Sequence, residues 1–89
     1  MLKPFYTNQF KRDYKLQQKR HKDLHLIDDL TNLLVKEEPL PAQNKDHPLQ
    51  GDYKGYRECH IEPDWLLIYK IEGGSIYFVR TGTHSDLFK

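Results

Sequence analysis

The chain has 89 residues, with 14 Lys and Arg against 13 Asp and Glu and a single cysteine. That length gives one domain, residues 1–89, with a modest core. The lone Cys59 excludes an internal disulfide and a cysteine-rich zinc site, and no apolar run reaches membrane-spanning length or forms a signal-peptide core. The expectation is a soluble cytoplasmic protein with no membrane partner. Charge is unevenly spread: residues 1–22 hold seven of the basic residues and one acid, which suggests a polyanion-facing region there.

In chain order, "LKPFY" (Leu2–Tyr6) predicts a short strand that Pro4 confines to a sheet edge. Thr7 reads as an N-cap to a helix from Asn8 to about Arg20, with Phe10 and Tyr14 on one side and basic residues elsewhere. Asp23 reads as a second N-cap, followed by the buried stripe Leu24, Ile27, Leu30, Leu33 and Leu34. "EEPLPAQ" (Glu37–Gln43) stops this helix, because proline cannot continue it. The period then switches to alternation. "GYRECHIE", "WLLIYKI" and "SIYFVRTG" predict three strands joined by turns at Pro63-Asp64 and Gly73-Gly74. The expected fold is α+β, ordered β-α-α-β-β-β, with two helices on one face of a twisted antiparallel sheet and the other face open.

Alternation places Tyr56, Glu58 and His60 on one face, with Cys59 and Ile61 toward the helices. On the last strand it groups Phe78, Arg80 and Gly82, with His84 in phase if the strand persists. His47 leads into the sheet and Asp64 follows a turn, so His47, His60, Asp64, Arg80 and His84 can converge. Histidine exchanges protons near neutral pH, and arginine cradles phosphate with paired hydrogen bonds. Trp65, Tyr56 and Phe88 offer flat faces for unstacked bases. These are the parts needed to cleave RNA by attack of a ribose 2′-hydroxyl on the adjacent phosphorus, without metal or cofactor.

Each residue also has a structural alternative: Trp65 as core, Arg80 paired with Glu58, Phe88 as a plug, Tyr56 and Phe78 as cross-strand packing. Lys11, Lys15 and Lys19, with Arg12 beside them, form either a solvated face or an RNA-binding one. A metal site is disfavoured, since there is no HExxH motif and the adjacent Cys59 and His60 point to opposite faces.

From "FYTNQFKRDYK" through "DHPLQGDYKGYRECHIEPDWLLIY" to "VRTGTHSDLF", the chain resembles the RelE/ParE toxin superfamily, in its YafQ-like branch of mRNA interferases. The resemblance implies a bacterial toxin of a type II toxin–antitoxin system. It would be a ribosome-dependent endoribonuclease that cleaves mRNA in the A site, inhibits translation and is inhibited by a cognate antitoxin. By motif, the family's active-site positions fall on His47, His60, Asp64, Trp65, Arg80, His84 and Phe88. The resemblance implies His84 as general acid, His60 or Asp64 as base, and His47 assisting. ParE-type members poison DNA gyrase by binding and need no nuclease centre, which is the alternative function.

Overall fold

In the computed structural model, which describes residues 1–88, both long helices start at the expected caps. The Thr7 hydroxyl accepts the Phe10 N–H at 3.0 Å and opens α1 (Asn8–Lys19). The Asp23 carboxylate accepts the His25 N–H at 3.1 Å and opens α2 (Leu24–Val35). Caps of this kind are each worth about 1 kcal/mol. The stripe on α2 behaves as its spacing requires: Ile27, Leu30 and Leu34 are buried, and Leu24 and Leu33 pack beside them.

Five strands form one sheet in the order β1-β5-β4-β3-β2. They are β1 (Lys3–Tyr6), β2 (His47–Pro48), β3 (Arg57–Glu62), β4 (Trp65–Glu72) and β5 (Ser75–Gly82). β2, β3, β4 and β5 run antiparallel in succession, with the turns falling at Pro63-Asp64 and Gly73-Gly74. β1 is the edge strand that Pro4 demands, but it pairs with β5 in parallel. The sheet is therefore mixed rather than wholly antiparallel. After α2 the chain enters at the far edge as β2 and meanders back, which brings β5 in beside β1 in the same direction.

Two findings alter which residues share a face. β5 pairs Phe78 with Tyr69 but Arg80 with Ile68, leaving Val79 as an extra residue. Such a bulge resets the alternation. Phe78 faces the helices, fully buried against Phe10 and Tyr6, while Arg80 lies on the opposite face; the expected grouping of the two fails. In addition, the strand stops at Gly82 and a one-turn helix, α3 (His84–Leu87), follows. His84 thus reaches the sheet from a helix and not as the next strand residue.

The helix-side core joins Phe10, Ile27, Leu30 and Leu34 to Cys59, Ile61, Trp65, Leu67, Tyr69, Ile76 and Phe78. Cys59 faces the helices as expected, and burial pushes its thiol up to about 12. The other face is not open throughout. Leu66 and Ile68 are fully buried beneath Leu87, with Leu49, Tyr53, Tyr56 and Val79 around them. Among the described residues, no helix is long and apolar enough to cross a membrane.

Candidate active site

Strand register builds the site on the face away from α1 and α2. His47 pairs with Glu58, Glu58 with Ile68, and Ile68 with Arg80, so these four form one row across the sheet. In the next row His60 pairs with Leu66, and Leu66 with Gly82. Immediately beyond Gly82, α3 folds back over the sheet, with Leu87 packed on Leu66 and Ile68. This brings the His84 ring centroid to 5.9 Å from that of His60, which lies 6.2 Å from that of His47.

Three imidazoles therefore neighbour one another in succession, with one carboxylate between His47 and His60 and another beside His84. Glu58 is only 5% exposed, and its Oε1 lies 3.4 Å from His47 Nε2 and 3.6 Å from His60 Nε2. Asp64 Oδ1 accepts the backbone N–H of His84 at 2.9 Å and lies 2.6 Å from its Nδ1. The two contacts with His84, the backbone one foremost, hold the exposed Asp64 carboxyl below the ordinary carboxylate range. A carboxylate only accepts, so Nδ1 carries the proton and donates it to Asp64, and Nε2 is the ring nitrogen that Asp64 does not engage. On the far side, His47 Nδ1 lies 2.6 Å from the Lys45 carbonyl oxygen, so Nδ1 donates there and Nε2 faces Glu58.

Arg80 does not pair with Glu58. Its Nε donates at 2.7 Å to Asp13 Oδ2, which also accepts the Thr81 N–H at 3.1 Å. β1 has ended by this point, so Asp13, itself buried, replaces a neighbouring strand along the exposed edge of β5. This hydrogen bond is the main cause of a raised Arg80 pKa, and the Tyr53 phenol contributes from the other side. Nη2 also donates, at 3.5 Å, to Asp13 Oδ1, so Asp13 holds one side of the guanidinium and Nη1 is the nitrogen it leaves for a phosphate.

The aromatic candidates separate. Trp65 is 0% exposed, sits in the helix-side core and donates its Nε1–H to the Thr81 hydroxyl at 3.0 Å. It offers no face to a base; its role here is packing, because odd-numbered positions of β4 point to the helices. Phe88 is 41% exposed and meets Tyr53 edge-on at 5.7 Å, and Tyr53 in turn meets Tyr56 at 5.9 Å. Phe88 and Tyr56 thus form an aromatic margin together with Tyr53, which alternation alone does not single out. Lys11, Arg12, Lys15 and Lys19 are all exposed on α1. The sequence reading also passes over Glu58 as a site residue, although its place between two histidines on a common face is a usable signal. Among the described residues, no group of three or more His, Cys, Asp or Glu side chains has the geometry to hold a metal ion.

The fold is that of the RelE-like α+β class, and comparisons with known proteins bear this out. Residues 2–89 match the model of a bacterial toxin of type II toxin–antitoxin system, YafQ, and the chain belongs to that family. It is 55% identical over 84 residues to the mRNA interferase toxin YafQ of Escherichia coli strain K12, covering 93% of this chain and 91% of the relative. It superposes with a TM-score of 0.93 and 51% identity on a chain of the Escherichia coli DinJ-YafQ complex, covering all of both chains. A metal-bound toxin from Helicobacter pylori superposes with a TM-score of 0.92 at 41% identity, over 99% of this chain and 100% of the other.

Proposed function

We propose that this toxin is a ribosome-dependent endoribonuclease that cleaves mRNA by metal-independent acid–base catalysis, and that a cognate antitoxin restrains it. What supports this most is the row His47–Glu58–His60–His84–Asp64 beside the anchored Arg80. The relatives named as an mRNA interferase and as a partner in the DinJ-YafQ complex agree with it.

The reaction needs a base for the ribose 2′-hydroxyl, an acid for the departing 5′-oxygen and a cation for the phosphorane. His84 serves as acid: Asp64 orients Nδ1 and stabilises positive charge on the ring, while Nε2 carries the proton delivered. Asp64 is thereby committed to His84, so His60 serves as base, with Glu58 steadying the imidazolium that forms and His47 sharing that carboxylate. The 2′-oxygen bonds to phosphorus as the P–O5′ bond breaks. The 2′-hydroxyl proton passes to His60, His84 protonates the 5′-oxygen, and a 2′,3′-cyclic phosphate and a 5′-hydroxyl remain. Arg80 donates to the phosphorane oxygens, where such fixed donors are worth a few kcal/mol. Phe88 and Tyr56 stack against a displaced base.

The decisive experiment uses programmed ribosomes with a 2′-deoxyribose immediately 5′ of the cleavage point. Cleavage of the all-ribose message should yield the cyclic phosphate and persist with a transition-metal chelator that spares magnesium, and the deoxy message should stay intact. Deoxy message cut at the normal rate refutes 2′-hydroxyl attack.

A further inference from the structure

α3 carries His84, yet at four residues it is too short to persist on its own backbone bonds. Besides the bond from the His84 N–H to Asp64, three contacts hold it. Leu87 is buried on Leu66 and Ile68. The Thr83 hydroxyl accepts the Asp86 N–H at 3.1 Å while Asp86 Oδ2 accepts the Thr83 N–H at 2.9 Å. Finally, Arg20 grips the same carboxylate with both terminal nitrogens, Nη1 to Oδ2 at 2.6 Å and Nη2 to Oδ1 at 3.1 Å.

This fork-to-fork geometry fixes a plane and not only a distance. Arg20 is the C-cap residue of α1, and its Nη1 also donates to Gln17 Oε1 at 3.4 Å. Gln17 is buried and donates to the Asp13 carbonyl at 3.3 Å, so the grip starts from the rigid interior of α1. Gly82 belongs to the same arrangement, since a Cβ there would lie 2.7 Å from Asp86 Oδ2. Its missing side chain lets the carboxylate reach both Thr83 and Arg20. The hydrogen bond from Arg20 holds the Asp86 carboxyl well below the ordinary carboxylate range, so the pair stays charged.

We propose that Arg20 and Asp86 are positioning residues that set where the His84 imidazole stands over the sheet, relative to His60 and the scissile phosphate. The role rests on the nuclease reading above. It makes the C-terminal end of α1 a part of the catalytic apparatus that touches no reacting atom. The pair is part-exposed, so its share of global stability is modest, and its loss shows first in the placement of His84.

The test is single-turnover cleavage on programmed ribosomes at increasing ribosome concentration. Arg20→Ala and Asp86→Asn are each made in the parent and in a His84→Gln background, and a thermal melt is recorded for every variant. In the parent, each should lower the maximal rate by about tenfold to a hundredfold, the scale of an ångström's misplacement. The half-saturating ribosome concentration should move by less than about twofold, as expected when ground-state binding is untouched. In the His84→Gln background neither should slow cleavage further, because the pair acts through that ring. Arg20→Lys, which keeps the charge without the fork, should recover part of the rate. Unchanged maximal rates overturn the proposal, as does a loss confined to half-saturation, which would make Arg20 an RNA contact. An equal loss in the His84→Gln background also overturns it. If Arg20→Ala melts too early to assay, Asp86→Asn decides, since it keeps the side-chain shape and an acceptor for Thr83. A parent that fails to cleave refutes the nuclease reading itself, whereas a cleaving parent beside variants of unchanged rate refutes the pair alone.

Discussion

Replacing His84 by Gln separates catalysis from folding more cleanly than any other change in this site. The side chain is 54% exposed and its one bonded partner among the described residues, Asp64, is 65% exposed, so little packing is lost. The second contact from Asp64 goes to the His84 backbone N–H, which glutamine retains, and α3 keeps its capping box and Leu87 anchor. An exposed substitution of this kind costs within about 0.5 kcal/mol, or roughly 3 °C in Tm for a domain of this size. Loss of a general acid, by contrast, costs about a hundredfold to ten-thousandfold in rate. Glutamine can hydrogen-bond to the leaving oxygen but has no proton to deliver at neutral pH. Single-turnover cleavage on programmed ribosomes, paired with a melt and a ribosome-binding measurement, checks both halves. A folded His84→Gln protein cleaving within a few-fold of the parent would refute the assignment, and one melting far earlier would make His84 a structural residue.

Neutralising Lys11, Arg12, Lys15 and Lys19 together should weaken ribosome association and flatten its dependence on salt, because each lost phosphate contact removes about one released counterion; sedimentation at two salt concentrations reads this, and unchanged binding would leave the face merely solvated. Trp65→Ala should cost about 3–5 kcal/mol by denaturant titration, as emptying a fully buried aromatic site does. Trp65→Met, which keeps apolar bulk but removes the aromatic face and the bond to Thr81, should still cleave mRNA in its folded fraction, an outcome incompatible with Trp65 as a base platform. Acid should destabilise the fold partly through Asp86. Its carboxyl binds a proton more weakly folded than unfolded, so its contribution is complete above the unfolded value of about 3.9. That contribution is lost as pH falls below that value toward the folded one, and Arg20→Ala should shallow this limb of a pH–stability curve.

Local signals revealed most of the architecture. Thr7 and Asp23 marked the helix starts, Pro4 marked the edge, and two turn dipeptides marked the meander, because each acts on its own few neighbours. What stayed hidden depended on distant partners. The bulge at Val79 arises where β5 meets β4, and nothing within "SIYFVRTG" announces it, so alternation placed Phe78 beside Arg80. β2 is two residues long and exists only because β3 lies beside it. Two further local signs lie in the sequence. The unbroken apolar run in "WLLIYKI" fits a strand covered on both faces, and Thr83 with Asp86 three residues later is a helix-start pattern. Of the candidate site, His47, His60, Asp64 and His84 assemble as spacing suggested. Arg80 reaches the same face but is anchored by Asp13, a partner on α1 that strand periodicity cannot reveal.

The place of β5 between β1 and β4 also orders the protein's own synthesis. β1 finds no partner until Ser75–Phe78 has been made, and the Thr7 hydroxyl waits for the Val79 carbonyl 72 residues onward. Contacts so far apart in sequence close slowly, and a growing chain pairs such segments only after both have left the exit tunnel. Arg80, Gly82 and His84 emerge after that same stretch, so a nascent molecule has neither a closed sheet nor a third imidazole beside His60. A partly made chain therefore lacks the assembled histidine row, which forms only with the last pairing.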